Sequence, residues 1–203
     1  PYPDPPIKNL PREVDILIVG TGPAGLTMAR QMSEFSDIST CIVDLTSGPL
    51  LFGRADGISC RTIEIMEAFN SSEMVVKETY KLMQNTFWEP DTANPAHIKR
   101  THKIWDARAG LSEFTHGIVN QARLHELLLA GMANEVASLV PHYSRKLVDL
   151  VVDKSLTQDL DEHPITATFK RTDADGQGKF ETIKARFTVG SDGGRSRVRR
   201  SLG

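Results

Sequence analysis

Asp15 is followed by an apolar, β-branched run, Ile16-Leu17-Ile18-Val19, that leads directly into Gly20-Thr21-Gly22-Pro23-Ala24-Gly25. Such a run suits a strand buried on both faces, as in a parallel sheet. The Gly-x-Gly-x-x-Gly spacing behind it narrows the fold sharply. Gly20 permits a tight turn, Gly22 lets the backbone approach a pyrophosphate, and Gly25 lets the following helix pack close to the strand. Pro23 and Ala24 lie within this loop and belong to the predicted dinucleotide site, and the N-terminus of the following helix offers unpaired N–H groups and a partial positive charge. The helix reads from Leu26 to Phe35, with Leu26, Ala29 and Met32 on one face. Thr40-Cys41-Ile42-Val43-Asp44 is the next strand and completes a βαβ unit, expected to be right-handed. Asp44 lies 19 residues beyond Gly25, where its carboxylate can bond an adenosine ribose hydroxyl. These features predict a dinucleotide site without choosing between FAD and NAD.

Breakers fill residues 45–57, after which Ser59 caps a predicted helix running to Phe69 with Ile63 and Met66 on its apolar face. A short helix is expected over 73–80. Strands are expected within 81–108, where Thr86-Phe87-Trp88 and His97-Ile98-Lys99-Arg100 alternate weakly. An amphipathic helix follows from Gln121 to Val136. Leu139-Val140 reads as a third parallel strand. Leu147–Val152, Ile165–Lys170 and Phe180–Val189 read as antiparallel strands, with Thr172–Gly176 as a turn. The fold class is α/β: a Rossmann-like βαβ domain, residues 15–203, with an antiparallel β insertion. Residues 1–14 read as an extended arm, because four of the first six are proline.

A net charge of −2 offers no cationic face for nucleic acid, and no apolar run approaches the ~20 residues that span a bilayer. The two cysteines, Cys41 and Cys60, form no CxxC pair, so neither a metal site nor a disulfide framework is expected, and a reducing, cytoplasmic setting fits. Cys41 reads as a small core residue.

Four stretches in order, GTGPAG, RADGISCRTIEIMEAF (54–69), NQARLHELLL (120–129) and VGSDGGRSRVRRSLG (189–203), carry a resemblance to a known family. They resemble the class A flavoprotein aromatic hydroxylases, in the branch of the phenol 2-monooxygenases and 3-hydroxybenzoate 4-monooxygenases. The similarity runs from about Asp15 to Gly203. It implies a glutathione-reductase-like variant of the nucleotide fold, FAD as cofactor, NADPH as transient co-substrate, and a small phenol and O2 as reactants. Residues 81–118 would then begin the substrate side.

The resemblance also implies roles. Asp56 would be the base that takes the phenol's proton, and Arg54 and Ala55 would lie against the flavin. Ionising an isolated phenol of pKa ~10 near pH 7 costs about 4 kcal/mol, so an oriented carboxylate has work to do. Gln121 and Arg123 would face the ribityl and phosphate region, where the arginine fork matches phosphate oxygens. Leu45 would flank the adenosine beside Asp44. Asp192 and Gly193 would support both dinucleotides, with Arg195 and Arg199 nearby. His116 would help hold the carboxylate of a carboxylated phenol, pointing toward 3-hydroxybenzoate. His97, His102, His125, His142 and His163 show no ligand spacing.

Relatives in this family continue beyond the position of Gly203, and complete members commonly form homodimers. The expectation is therefore that residues 1–203 alone bind FAD weakly or not at all and do not turn over. Two other readings stay open on the residues themselves: an NAD(P)-dependent dehydrogenase sharing the glycine fingerprint, and a truncated, non-catalytic FAD-binding piece.

Overall fold

The computed structural model describes residues 9–53 and 55–203. The elements begin with β1 (Glu13–Val19), α1 (Pro23–Met32), β2 (Thr40–Val43), β3 (Gly57–Ile58), α2 (Cys60–Ala68) and α3 (Ser72–Val76). Next come β4 (Tyr80–Leu82), β5 (Gln84–Asp91), β6 (Asn94–Trp105), β7 (His116–Ile118) and α4 (Gln121–Ala133). The chain closes with β8 (Arg145–Val152), β9 (Ile165–Arg171), β10 (Phe180–Gly190) and α5 (Arg197–Leu202). They divide into two compact units, one made of residues up to Leu51 with His125–Gly203, the other of Phe52–Leu124.

The first unit holds a five-stranded sheet in the order β2-β1-β10-β9-β8. β1 is parallel to both its neighbours, Ile18 facing Ile42 on one side and Val189 on the other. With both edges paired and both faces covered, Leu17 and Ile18 are fully buried, each contributing about 1.5–3 kcal/mol. β10 changes partner along its length: its first half is antiparallel to β9 and its second half is parallel to β1. The expected parallel and antiparallel strands are thus one mixed sheet. Its core gathers Leu17, Val43, Leu150, Phe169, Ile183 and Val198, and Leu10, ahead of β1, joins them. Cys41 lies in the same core, where burial pushes its thiol up to about 12, as befits a packing residue.

One expectation fails here. Leu139-Val140 is not a strand, and the position beside β2 is taken by a single parallel bridge between Val43 and His142. Pro141 has no amide to give a ladder, so pairing cannot extend through it.

The second unit has a three-stranded antiparallel sheet, β3-β7-β4, and a two-stranded ribbon, β5-β6. Ser59 caps α2 as expected, its hydroxyl accepting from the Thr62 amide at 3.3 Å. The weak alternation in β5 and β6 has a structural cause, since both strands are largely exposed on both faces and neither face is selected for apolar residues. Among the described residues no helix is long and apolar enough to cross a membrane.

Candidate functional site

In the first unit the glycine loop is closed by the backbone of the Ser191-Asp192 segment. Gly20 has φ +109°, and a Cβ there would stand 2.5 Å from the Ser191 carbonyl oxygen. A Cβ on Gly25 would stand 2.0 Å from the Gly20 carbonyl oxygen. Both positions therefore require glycine for packing. Ser191 ties the loop to the sheet, its amide donating to the Val19 carbonyl at 2.8 Å and its hydroxyl lying 2.9 Å from the carbonyls of Val19 and Gly20.

Gly22 is different. It is the N-cap of α1, and the nearest atom to a Cβ placed there is 4.0 Å away. No side chain caps α1, and no acidic residue lies in its first turn. Pro23 occupies the first turn without needing a partner for an amide, and Ala24 is exposed. Open space in front of uncapped helix amides fits a pyrophosphate. A cavity of about 790 Å³ adjoins this loop, and Gly20, Asp44, Leu45, Asp192 and Arg195 all line it. Ligand pockets are commonly of this size.

Asp44 does more than the sequence suggested. Its Oδ2 accepts from the Thr21 amide at 2.6 Å and the Thr21 hydroxyl at 2.8 Å. Its Oδ1 accepts from the Thr46 amide and hydroxyl, both at 2.7 Å. A carboxylate has about four acceptor positions, so the chain itself engages all of them, and a ribose hydroxyl has to share or displace one. Burial opposes ionisation of Asp44, but the bonds from Thr46 and Thr21 outweigh it and hold the carboxyl below its ordinary value. A folded-state pKa below the unfolded one stabilises the protein above the unfolded value and loses that contribution as pH falls through the folded one. Asp44→Asn is accordingly expected to lower stability at pH 7, with the gap from wild type closing below about pH 4. Denaturant melts at pH 7 and pH 3 test this, and an equal gap at both would count against it.

His125, which had no assigned role, lies buried beneath the same loop, its ring engaging the Thr21 carbonyl while Nδ1 has no partner among the described residues. Burial lowers its pKa and keeps it neutral. Asp192 turns inward. Its carboxylate accepts from the Ser196 hydroxyl and from the amides of Arg197 and Val198, capping α5. Burial works against its ionisation, and these bonds more than offset it. Gly193 has φ +80° and open space around it. Arg199 donates to the Gly194 carbonyl at 2.8 Å.

The second unit holds the remaining residues. Asp56 is exposed, its carbonyl accepting from the Val119 amide at 2.8 Å, and its carboxylate has no partner among the described residues. Ala55 is also exposed, and the expectation for Arg54 lies outside the described residues. β3, which begins at Gly57, pairs with β7, which begins at His116. A Cβ on Gly57 would stand 3.0 Å from His116 Nε2, so the ring lies directly over the residue next to Asp56. The register pairs Gly57 with Ile118 and Ile58 with Gly117, so it is the reach of the His116 ring, 60 positions along the chain from Asp56, that brings the two segments together.

Gln121 opens α4, with Asn120 capping the helix by accepting from the Ala122 amide at 2.9 Å. Gly53 packs against it, since a Cβ there would stand 2.7 Å from Gln121 Cβ. Arg123 grips Glu78 with a fork of 2.5 and 2.6 Å, so its guanidinium is committed in part to a carboxylate. Sequence reasoning missed Asp106, whose Oδ2 lies 3.4 Å from His116 Nδ1. No short motif marks it, and it reaches the histidine only through strand pairing.

A family described as "FAD binding domain" matches residues 13–203. The 3-hydroxybenzoate 4-monooxygenase of Comamonas testosteroni is 47% identical over 97% of this chain, which spans 30% of that protein. The phenol 2-monooxygenase of Aspergillus fumigatus is 28% identical over 97% of this chain, again spanning 30% of the relative. The flavin-dependent monooxygenase PieE, solved in complex with FAD and substrate, superposes with a TM-score of 0.73 at 26% identity, over 94% of this chain and 32% of its own. The chain thus covers about a third of each. The chain belongs to the FAD binding domain family.

Proposed function

We propose that the protein carrying this chain is a flavin-dependent monooxygenase that hydroxylates a phenolic ring of the 3-hydroxybenzoate class with NADPH and O2. One oxygen atom enters the ring ortho to the existing hydroxyl. The other leaves as water, with NADPH supplying the two electrons. FAD, when bound, supplies the oxygen chemistry, and the protein contributes binding, orientation and proton handling.

In this reading Gly20, Gly22, Pro23, Ala24 and Gly25 cradle the diphosphate, and Asp44 and Leu45 take the adenosine. Asp192 and Gly193 flank the same loop. Arg54, Ala55, Gln121 and Arg123 serve the flavin side, Arg123 by sharing its fork between Glu78 and the cofactor. Asp56 takes the phenol proton, raising electron density at the ortho carbon. His116 takes a carboxylate on the same ring.

The observation that carries the reading is the approach of the His116 ring to Gly57, the residue after Asp56: a Cβ on Gly57 would stand 3.0 Å from Nε2. Support also comes from the relative named 3-hydroxybenzoate 4-monooxygenase at 47% identity. The test is to supply the complete gene product with FAD, NADPH and 3-hydroxybenzoate in air and identify the product. A dihydroxybenzoate formed in step with NADPH consumption, and only with oxygen present, is expected. NADPH-linked turnover that needs no oxygen would instead make it a dehydrogenase.

A further inference from the structure

His116 has a carboxylate behind it. Its Nδ1 lies 3.4 Å from Asp106 Oδ2, and the Asp106 side chain is 14% exposed against 33% for the histidine. Asp106 is itself held in place: its Oδ1 accepts from Asn85 Nδ2 at 2.8 Å, and its amide donates to the Met83 carbonyl at 3.0 Å. Three segments thus converge, with Asn85 on β5, Asp106 just past β6 and His116 at the start of β7. All three belong to the second unit.

The chemistry of a histidine follows from which nitrogen is already engaged. With Nδ1 turned to Asp106, the ring's orientation is set and Nε2 is the nitrogen presented toward Gly57. A ring that donates from Nδ1 to Asp106 and from Nε2 to a ligand carboxylate is the doubly protonated, cationic form. Its charge then lies between two carboxylates, one fixed and one brought by the ligand. A neutral substituent on the ligand gains nothing from this arrangement.

We propose that Asp106, anchored by Asn85, is a positioning residue that holds His116 for an acidic substituent and so sets the preference for carboxylated over neutral phenols. This rests on the reading of His116 as the carboxylate-binding residue. Asp106 touches neither substrate nor cofactor, and its effect passes through the imidazole.

Binding of 3-hydroxybenzoate and of its neutral isostere 3-hydroxybenzamide to the complete, FAD-loaded gene product can be followed by perturbation of flavin absorbance. Asp106→Asn is expected to weaken 3-hydroxybenzoate about tenfold, the size of one charge-assisted contact, and to change 3-hydroxybenzamide by less than about twofold. FAD affinity should stay unchanged. Asn85→Ala, which keeps the charge but loosens its anchor, should act in the same direction by about threefold. Equal weakening of both ligands would mean a merely structural role and overturn the proposal, as would no effect from either variant. His116→Gln separates the two levels. If it weakens both ligands equally, or neither, the reading of His116 falls and takes this inference with it. If it discriminates while the Asp106 and Asn85 variants do not, the inference alone is lost.

Discussion

Replacing Asp56 with Asn is expected to slow ring hydroxylation by about 10²–10⁴-fold, the usual contribution of a positioned general base, while leaving FAD binding intact. The carboxylate is exposed and has no partner among the described residues, so no fold interaction is lost with it. Asn preserves shape and polarity and removes only the ability to take a proton. NADPH oxidation should therefore persist and become uncoupled from product, since ring activation fails and cofactor reduction does not. The measurement is product formed per NADPH consumed. A ratio and rate unchanged from wild type would remove Asp56 from the reaction.

Two glycine substitutions are expected to differ sharply although they sit three residues apart. Gly25→Ala puts a methyl group 2.0 Å from a backbone carbonyl and 2.5 Å from the Ser191 hydroxyl, so the loop itself has to move. Overpacking of this kind costs about 1–3 kcal/mol, and both stability and FAD affinity should fall. Gly22→Ala meets no neighbour among the described residues closer than the Ser191 carbonyl oxygen at 4.0 Å. The apo protein should tolerate it within about 1 kcal/mol, the scale of a helix-cap change. FAD binding should nonetheless drop tenfold or more, because the new methyl occupies the approach of the diphosphate to the backbone. Thermal melts without FAD and titrations with it separate the two effects. If Gly22→Ala bound FAD as wild type does, the diphosphate would not lie over that backbone.

The sequence revealed most where a local steric rule governs. The strand into Gly20, the glycines at 22 and 25 and the acid at 44 can be read because each depends on its own backbone and near neighbours. The capped helix from Ser59 is legible for the same reason. What stayed hidden depends on tertiary pairing. Thr21 occupies a position the fingerprint leaves free, yet Asp44 and His125 hold it from three sides. Nothing in the local sequence sets Asp106 apart from other acids until β7 brings His116 to it. Leu139-Val140 misled because a two-residue apolar pair before a proline carries too little periodicity to distinguish a strand from a single bridge. The partner change along β10 was unreadable for a related reason: alternation reports which face is buried, not which strand lies alongside.

In the proposed function the carboxylate at position 56 meets the hydroxyl of a phenol. A crystal structure of the complete gene product with FAD and 3-hydroxybenzoate measures this directly. A carboxylate oxygen of Asp56 is expected within about 3 Å of the phenolic oxygen, directly or through one water, with His116 on the substrate carboxylate. A bound ring whose hydroxyl lies against other groups, with Asp56 still facing bulk solvent, would contradict it.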